Sequence, residues 1–398
     1  MLIVKKYGGS SVSSPEKILA IAKKLKTLSD EGHRLIVVVS AMGDTTDDLI
    51  ELSRRITHTP IQREMDMLLS TGERVSMALM SMALNSLHCE AISFTGSQSG
   101  VFTDGSHNNA RIREIKAFRV KEELEKGKVV IVAGFQGVNP DTKEITTLGR
   151  GGSDTTAVAL AAHFKAQRCD ILTDVRGIFS IDPRTPGVRP RHFSQLNYET
   201  TMEMAYWGAR VLHYRSVELA QREKVPLLVH LSSEEGSGTL IGDMEGTGFS
   251  SVNYNTQVAR LVFTGSPELD KCLEAIAAGV KQGNLPFPQI LQERQSPLGH
   301  EIFLTAPSEL FESLHKETSM WCETKQWPAP TLDTSLATVT LTGHGLSQTA
   351  ALFDISKVLK ENSIELEGVM TSALSVTCLV PQGQVQKTAQ LLHEKFIG

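Results

Sequence analysis

Two stretches of this sequence set a glycine pair beside a cation: "KKYGGSS" at 5–11 and "TLGRGGSD" at 147–154. Glycine pairs weaken regular structure and cost conformational entropy, so their use implies a need for uncovered backbone. Uncovered N–H groups at a strand end or a helix start form a cradle for an anion. Lys6 precedes Gly8 and Gly9, and its ammonium is a compact charge suited to bridging phosphate oxygens. Arg150 precedes Gly151 and Gly152, and its planar fork matches a carboxylate or a phosphate. Ser153 and Asp154 follow; they either cap a helix and complement its dipole or join the site. The loops "SAMGDTTD" (40–47), "TGSQSG" (95–100) and "TDVRGIF" (173–179) share this Gly, Ser and Thr character. Any one of them is an ordinary turn, but five at strand ends point to phosphate chemistry. There is no GxxxxGK[ST] and neither the H-R-D nor the D-F-G signature, so such a phosphotransferase is neither a P-loop enzyme nor a protein kinase.

The elements that must position these loops alternate along the first 245 residues. "LIVK" (2–5) reads as a strand, followed by a helix that Ser14 caps with Pro15 at its first position. Ile18, Ile21, Ala22, Leu25 and Leu28 then recur at helical spacing. "LIVVVS" (35–40) is continuously apolar, as a strand covered on both faces should be. "AISFT" (91–95), "VVIVAGF" (129–135), "DILTD" (170–174) and "PLLVHL" (226–231) are further buried strands, with helices at 61–86, 154–165 and 198–224. The alternation predicts the α/β class: a mostly parallel sheet with helices on both faces over 1–245. In such sheets ligands bind beyond the carboxyl ends of the strands. The Gly- and Ser-rich run "EEGSGTLIGDMEGTGFSS" (234–251) marks a boundary. Beyond it, 246–335 reads as a linker and a first, divergent module, with a strand at 258–264 and a helix at 268–281. Its second half, with three prolines between 286 and 297, reads as irregular. A second module at 336–398 runs strand 336–343, helix 348–362, strands 364–371 and 374–380, helix 384–396, so a weak repeat of small α+β units is expected.

Hydrophobic content of 40%, charged content of 21% and a net charge of −5 over 398 residues describe an ordinary globular chain. The charge lacks the basic footprint of a nucleic-acid binder. No apolar run reaches the ~18 residues that span a bilayer, and "MLIVKKYGG" does not read as a signal peptide. The five cysteines form no CxxC pair and read as buried thiols in a reducing cytoplasm. The twelve histidines form no HxxH or HxxxH pair, so no structural metal site is expected. Lys5, beside Lys6, reads as a solvated strand-end lysine.

"KYGGSSV", "VVVSAMGDTTDDL", "LLSTGERVS", "TGSQSGVFTD", "TLGRGGSDTTAVALA" and "TDVRGIFSIDPR" resemble, in order and spacing, the successive signatures of the aspartate kinases. The resemblance covers about residues 2–241 and returns in the tail, which is similar to the ACT regulatory modules of that family. It implies the amino acid kinase fold followed by two ACT-like modules, with ATP and Mg²⁺ as cofactors and L-aspartate as phosphoryl acceptor. The product would be 4-phospho-L-aspartate, the first step towards lysine, threonine and methionine. The implied roles are as follows. Lys6 would neutralise the transferring phosphoryl group, Gly8 and Gly9 would offer it backbone donors, and Asp154 would organise Mg·ATP and the lysine. Ser40, Thr46 and Ser153 would hold the aspartate, Glu73 would pair with its α-ammonium and Arg150 with its α-carboxylate. Thr173, Asp174, Phe179, Arg184 and Arg210 would form the nucleotide pocket. Read on its own, Glu73 is an ordinary helical glutamate with apolar neighbours Leu69, Met77 and Met80.

The sequence also departs from the family. "GARVLHY" (208–214) carries Arg210 where a lysine is expected and Tyr214 where a proline is expected. The segment "TGSPELDKCLEAI" (264–276) lacks the glycine-rich turn at which an effector amino acid docks, while "TGHGLSQTAALFDI" (342–355) keeps a Gly-x-Gly. The resemblance implies lysine or threonine as effector at the ACT modules. Open sheet edges in the two modules imply a homodimer or larger homo-oligomer. The competing readings are a kinase of this fold for another carboxylate and an inactive ACT-bearing regulator. A clamp for a zwitterion at Glu73 and Arg150 argues against the first, and the presence of Lys6, Arg150 and Asp154 against the second.

Overall fold

The computed structural model describes residues 1–398 apart from 58–59, 210, 234–236, 247, 266–267, 283–284, 286, 307 and 347–349. The chain divides into two compact units. The first comprises Met1–Phe179, His192–Tyr206 and Arg210–Gly246; the second comprises Ser180–Arg191, Trp207–Ala209 and Thr247–Gly398.

The first unit is built on an eight-stranded sheet in the order Gln195–Asn197, Gly238–Gly242, Leu227–Leu231, Cys169–Thr173, Leu2–Tyr7, Arg34–Val39, Val129–Ala133, Ala91–Phe94. Every neighbouring pair is parallel except Leu227–Leu231 with Gly238–Gly242. Ile36, Val37, Val38 and Val39 are fully buried, which is why that strand is continuously apolar rather than alternating. On one face Ile18, Ile21 and Leu25 of the helix Pro15–Asp30 join Met80 and Leu84 of the helix Gln62–Ser86 over Ile3, Val37, Val39 and Ile131. Ser14 caps the first of these helices, its hydroxyl accepting from Lys17 N at 3.4 Å, with Pro15 at the first position. Against the strands Leu2–Tyr7 and Arg34–Val39 also packs the helix Gly152–His163, so apolar that Ala157, Val158, Leu160 and Ala161 are all buried.

Three expectations are corrected. Lys5 is not solvated: successive strand residues face opposite sides of a sheet, and Lys5 points into the buried layer. There its Nζ meets Asp170 Oδ2 at 2.8 Å, and Asp170, fully buried, also accepts from Arg168 Nε at 2.6 Å. The segment 198–224 forms two helices, Tyr198–Tyr206 and Tyr214–Glu223, rather than one. The stretch after 286 is ordered as a hairpin, Gln289–Ser296 with Gly299–Thr305, and a helix, Glu309–Thr324. A second sheet of the first unit, Ile112–Ile115, Val101–Thr103, Gln136–Val138 and Ile145–Thr147, has strands of three or four residues, too short to carry a period-two signal.

The second unit contains two four-stranded sheets. One runs Gln289–Ser296, Gly299–Thr305, Val258–Phe263, Thr331–Asp333, with helices Leu269–Gln282 and Glu309–Thr324 supplying Cys272, Ile276, Phe311 and Leu314 to its core. The other runs Phe249–Asn255, Leu336–Gly343, Ser375–Pro381, Gly368–Thr371, with helices Ala351–Glu361 and Val385–Phe396 supplying Ile355, Leu359, Ala389 and Leu392. Because Phe249–Asn255 pairs antiparallel with Leu336–Gly343, residues 258–333 are inserted between two strands of one sheet.

Burying Lys5 and Asp170 together is tolerable only because each compensates the other. Asp170→Ala is expected to cost about 3–5 kcal/mol, seen as a lowered thermal midpoint, whereas the paired change Lys5→Met with Asp170→Leu costs less than Asp170→Ala alone. Equal losses for the two proteins would contradict this reading of the pair.

Candidate active site

Four of the five loops picked out by composition follow parallel strands of the main sheet, and the fifth leads from Ile145–Thr147 into Gly152–His163. At the end of Leu2–Tyr7 the chain turns into Gly8, whose N–H donates to Leu172 O of the neighbouring strand at 3.2 Å. Gly9 begins a short 3-10 turn, Gly9–Val12. A β-carbon on Gly9 would lie 2.9 Å from Ala41 O and 3.0 Å from Gly43 O, so this backbone rests directly on the loop after the second strand. Gly43 N donates back to Gly9 O at 3.0 Å. The Lys6 ammonium lies over the same turn, 3.7 Å from where a Gly8 side chain would begin. It is held there by Asp154 Oδ1 at 2.7 Å.

Asp154 comes from the first turn of Gly152–His163 and is 6% exposed. That helix start is fastened to the end of strand Val129–Ala133 by two contacts. Thr156 Oγ1 accepts from Phe135 N at 3.2 Å. Buried Ser153 occupies the space beside Gly134, where a β-carbon would lie 2.8 Å from its Oγ. Gly151, at φ +69°, turns the backbone against His213. Arg150, just before it, is exposed, and no ion-pair partner is found for it among the described residues.

Glu73 projects from Gln62–Ser86 towards the loop after Arg34–Val39. It is 3% exposed; Oε1 accepts from Ala41 N at 3.2 Å, and buried Oε2 has no partner among the described residues. Burial pushes its carboxyl up to about 7. Three helical residues along, Ser76 Oγ donates to Ser40 O at 2.6 Å, which fixes the backbone of Ser40. Thr46 is half-buried in the first turn of the helix Thr45–Ile56.

The remaining expected residues are more scattered. Thr173 Oγ1 donates to Asp174 Oδ1 at 3.0 Å, and exposed Asp174 lines a cavity of about 440 Å³ with Ser10, Lys17, Lys24 and Ser232. Both lysines are braced by protein oxygens: Lys17 by Ser10 O at 2.8 Å and Ser13 Oγ at 2.9 Å, Lys24 by Ser232 O at 3.0 Å and Ser233 O at 2.9 Å. The Phe179 ring meets His192 edge-on at 5.1 Å. Arg184 belongs to the second unit, and Arg210 lies outside the described residues. The contacts thus bring together Lys6, Gly8 and Asp154, join Gly9 to the loop that begins at Ser40 and meets Glu73, and set Ser153 beside Asp154.

Two residues escaped the sequence reading. Asp66, fully buried, accepts from Asn108 N at 3.0 Å and from Thr147 Oγ1, and meets His107 Nδ1 at 2.6 Å. It ties Gln62–Ser86 to the strand that leads into the Arg150 turn, and burial raises its pKa. His213 packs under Gly151, and its Nδ1 accepts from Arg215 N at 3.3 Å. Burial first, then Arg215, pushes its pKa down to about 4, so the ring is neutral at pH 7. "LHY" was in view, but nothing in the string signals that the imidazole is buried. Among the described residues no cluster of three His, Cys, Asp or Glu side chains is assembled to hold a metal, and no helix is long and apolar enough to cross a membrane.

Residues 1–230 match the amino acid kinase family model. Aspartokinase 2 of Bacillus subtilis is 39% identical over 401 residues, spanning 99% of this chain and 97% of its own. Among solved structures, aspartokinase III of E. coli in complex with aspartate and ADP aligns over the whole of both chains with a TM-score of 0.80 at 22% identity. The form of that enzyme with lysine and aspartate gives 0.72 at 23% identity. On the family match and the full-length likeness to a curated relative, this chain belongs to the amino acid kinase family and, within it, to the aspartokinases.

Proposed function

We propose that this protein transfers the γ-phosphoryl group of ATP to the β-carboxylate of L-aspartate. The observation that carries the reading is the Lys6–Asp154 pair at 2.7 Å, seated over the bare backbone of Gly8. It holds one ammonium at a strand end over backbone that carries no side chain, so a polyphosphate can approach closely.

A β-carboxylate has a reference pKa of about 4 and is a nucleophile at neutral pH without help. No general base is required, and the reaction asks the protein for alignment and charge neutralisation. One β-carboxylate oxygen attacks the γ-phosphorus, the bond to the β,γ-bridging oxygen breaks, and its electron pair leaves with ADP. Lys6 neutralises the equatorial oxygens as charge redistributes, and Asp154 keeps that ammonium from swinging into solvent. Gly8 and Gly9 let the backbone approach. The orphaned Oε2 of Glu73 is the acceptor for the substrate's α-ammonium, while exposed Arg150 takes its α-carboxylate. Ser40, Thr46 and Ser153 complete the aspartate contacts; Thr173, Asp174 and Phe179, with Arg184 and Arg210, serve the nucleotide. Mg²⁺ arrives with the ATP phosphates as part of the substrate, and Asp154 or Asp174 is within its chemistry as an oxygen ligand. The lysine bound to the E. coli relative makes an amino-acid effector at the second unit part of the same proposal.

The assay is ADP release with the acyl phosphate trapped as hydroxamate. L-aspartate is expected to turn over, and succinate, which lacks the ammonium that Glu73 pairs, to fall by roughly a hundredfold in kcat/KM. Equal turnover of the two would overturn the assignment of Glu73, and no turnover with any carboxylate would favour the regulator. The pH profile is a separate check. Glu73 must lose its proton to pair with an ammonium, and its pKa in the free protein is about 7. Hence kcat/KM for aspartate is flat above pH 7 and declines about tenfold per unit below it, while KM for ATP does not follow. Glu73→Gln removes that limb; a profile unchanged by the substitution would count against the role.

A further inference from the structure

The helix Gln62–Ser86 carries a second buried carboxylate that the proposed reaction does not use. Asp66 lies seven residues, and so two turns, before Glu73 on the same buried face. It grips two backbone segments at once. Its Oδ1 accepts from Thr147 Oγ1 and from Asn108 N at 3.0 Å, and its Oδ2 meets His107 Nδ1 at 2.6 Å. Thr147 is fully buried and ends the strand Ile145–Thr147.

Those two segments support the turn that bears Arg150. Thr147 O accepts from Ala110 N at 2.9 Å, which sets the segment 107–110 alongside it. Gly149, at φ +75°, rests on that segment: a β-carbon there would lie 2.9 Å from Asn108 O. Leu148 N donates to Phe135 O at 2.8 Å and Gly152 N to Gly149 O at 3.0 Å, so Arg150 leaves from a turn fixed on both sides. The hairpin has a second fastening to the same helix. Gln136, paired with Thr147 across the ladder, donates from Nε2 to Ser70 O at 2.8 Å. Losing the Thr147 hydroxyl therefore leaves the hairpin attached while loosening the end nearest Arg150.

We propose that Asp66 is a positioning residue for the amino-acid substrate: by holding Thr147 and Asn108 it mounts the Arg150 turn on the helix that carries Glu73. The groups assigned to the substrate's α-carboxylate and α-ammonium then share one rigid support. Asp66 is fully buried and acts only through the residues it holds. The inference rests on the reading of Arg150 as the α-carboxylate contact. It concerns aspartate alone: among the described residues, none of the groups assigned to ATP hydrogen-bonds to Asp66 or Thr147.

The full-length protein would be compared as wild type, Thr147→Val, Thr147→Ser, Asp66→Asn, Arg150→Ala and the double variant Arg150→Ala with Thr147→Val. Steady-state kcat and KM for each substrate would be measured, with a thermal midpoint for every protein. Thr147→Val is expected to raise KM for aspartate about five- to tenfold with KM for ATP unchanged, the loss expected of one buried hydrogen bond. Thr147→Ser keeps the hydroxyl and is expected to keep the wild-type KM, as a merely space-filling role would not. Asp66→Asn, which removes the charge but not the shape, is expected to raise KM for aspartate selectively. In the Arg150→Ala background Thr147→Val is expected to add less than about twofold, because the two changes disable one contact. If Arg150→Ala leaves KM for aspartate unaltered, Arg150 is not the α-carboxylate contact and the inference loses its basis. If Arg150→Ala raises KM while a folded Thr147→Val does not, or adds its full effect in the double variant, the positioning role is wrong and the reading of Arg150 stands. An equal rise in KM for both substrates would mean general loosening and would also overturn the role. Should Thr147→Val fail to fold, a raised KM for aspartate in Thr147→Ser, or a wild-type one in Asp66→Asn, overturns the proposal.

Discussion

The ion pair of Lys6 with Asp154, residues 148 positions apart in the sequence, joins the two glycine-bearing stretches, and the rest of the candidate site is described around it. An ammonium at the end of a strand would ordinarily extend into water, where it is a poor electrostatic catalyst because nothing holds it still. Asp154 restrains it and, sitting in the first turn of a helix, is itself favoured there by the helix dipole. Under the proposed function, the pair holds an ammonium where phosphate oxygens would arrive, without requiring the protein to reorganise at the moment of reaction.

That arrangement forces a second constraint, on volume rather than charge. For Lys6, the loop after the second strand and the start of Gly152–His163 to meet, three backbone segments must pass at near-contact distance. Gly9 lies on the carbonyls of Ala41 and Gly43, and Gly134 leaves room for Ser153. Side chains at either glycine would part the loops and draw the pair's surroundings open. In the proposed function the charge and the small residues are therefore one design, the charge being reachable because the backbone beneath it is thin.

Much of this was legible in the sequence because the information is local. Glycine pairs beside cations at the ends of apolar runs mark an anion cradle, and the unbroken apolar run at 35–40 marks a strand covered on both faces. What stayed hidden depends on tertiary placement. Lys5 and Lys6 are chemically identical neighbours; only the strand's alternation sends one to buried Asp170 and the other to Asp154 at the candidate site. Asp66 and His213 gain their roles from burial that no neighbouring residue announces. The strand Gln289–Ser296 is half-buried and polar along most of its length, so it reads as irregular, and Phe249–Asn255 finds its partner almost ninety positions later at Leu336–Gly343. Arg210 lies outside the described residues, and its substitution for a lysine has no structural account.

The second unit shares with the first a single idea, that a loop is positioned by what it is packed into. There Ile181 and Val188 of the segment Ser180–Arg191 pack into the core of the C-terminal module. The central claim, however, concerns one ammonium. Its most direct test is turnover of Lys6→Met with ATP and L-aspartate, alongside circular dichroism to establish that the variant is folded. The account requires a folded protein whose kcat is lower by roughly 10²–10³-fold. A folded Lys6→Met protein with undiminished turnover would contradict it.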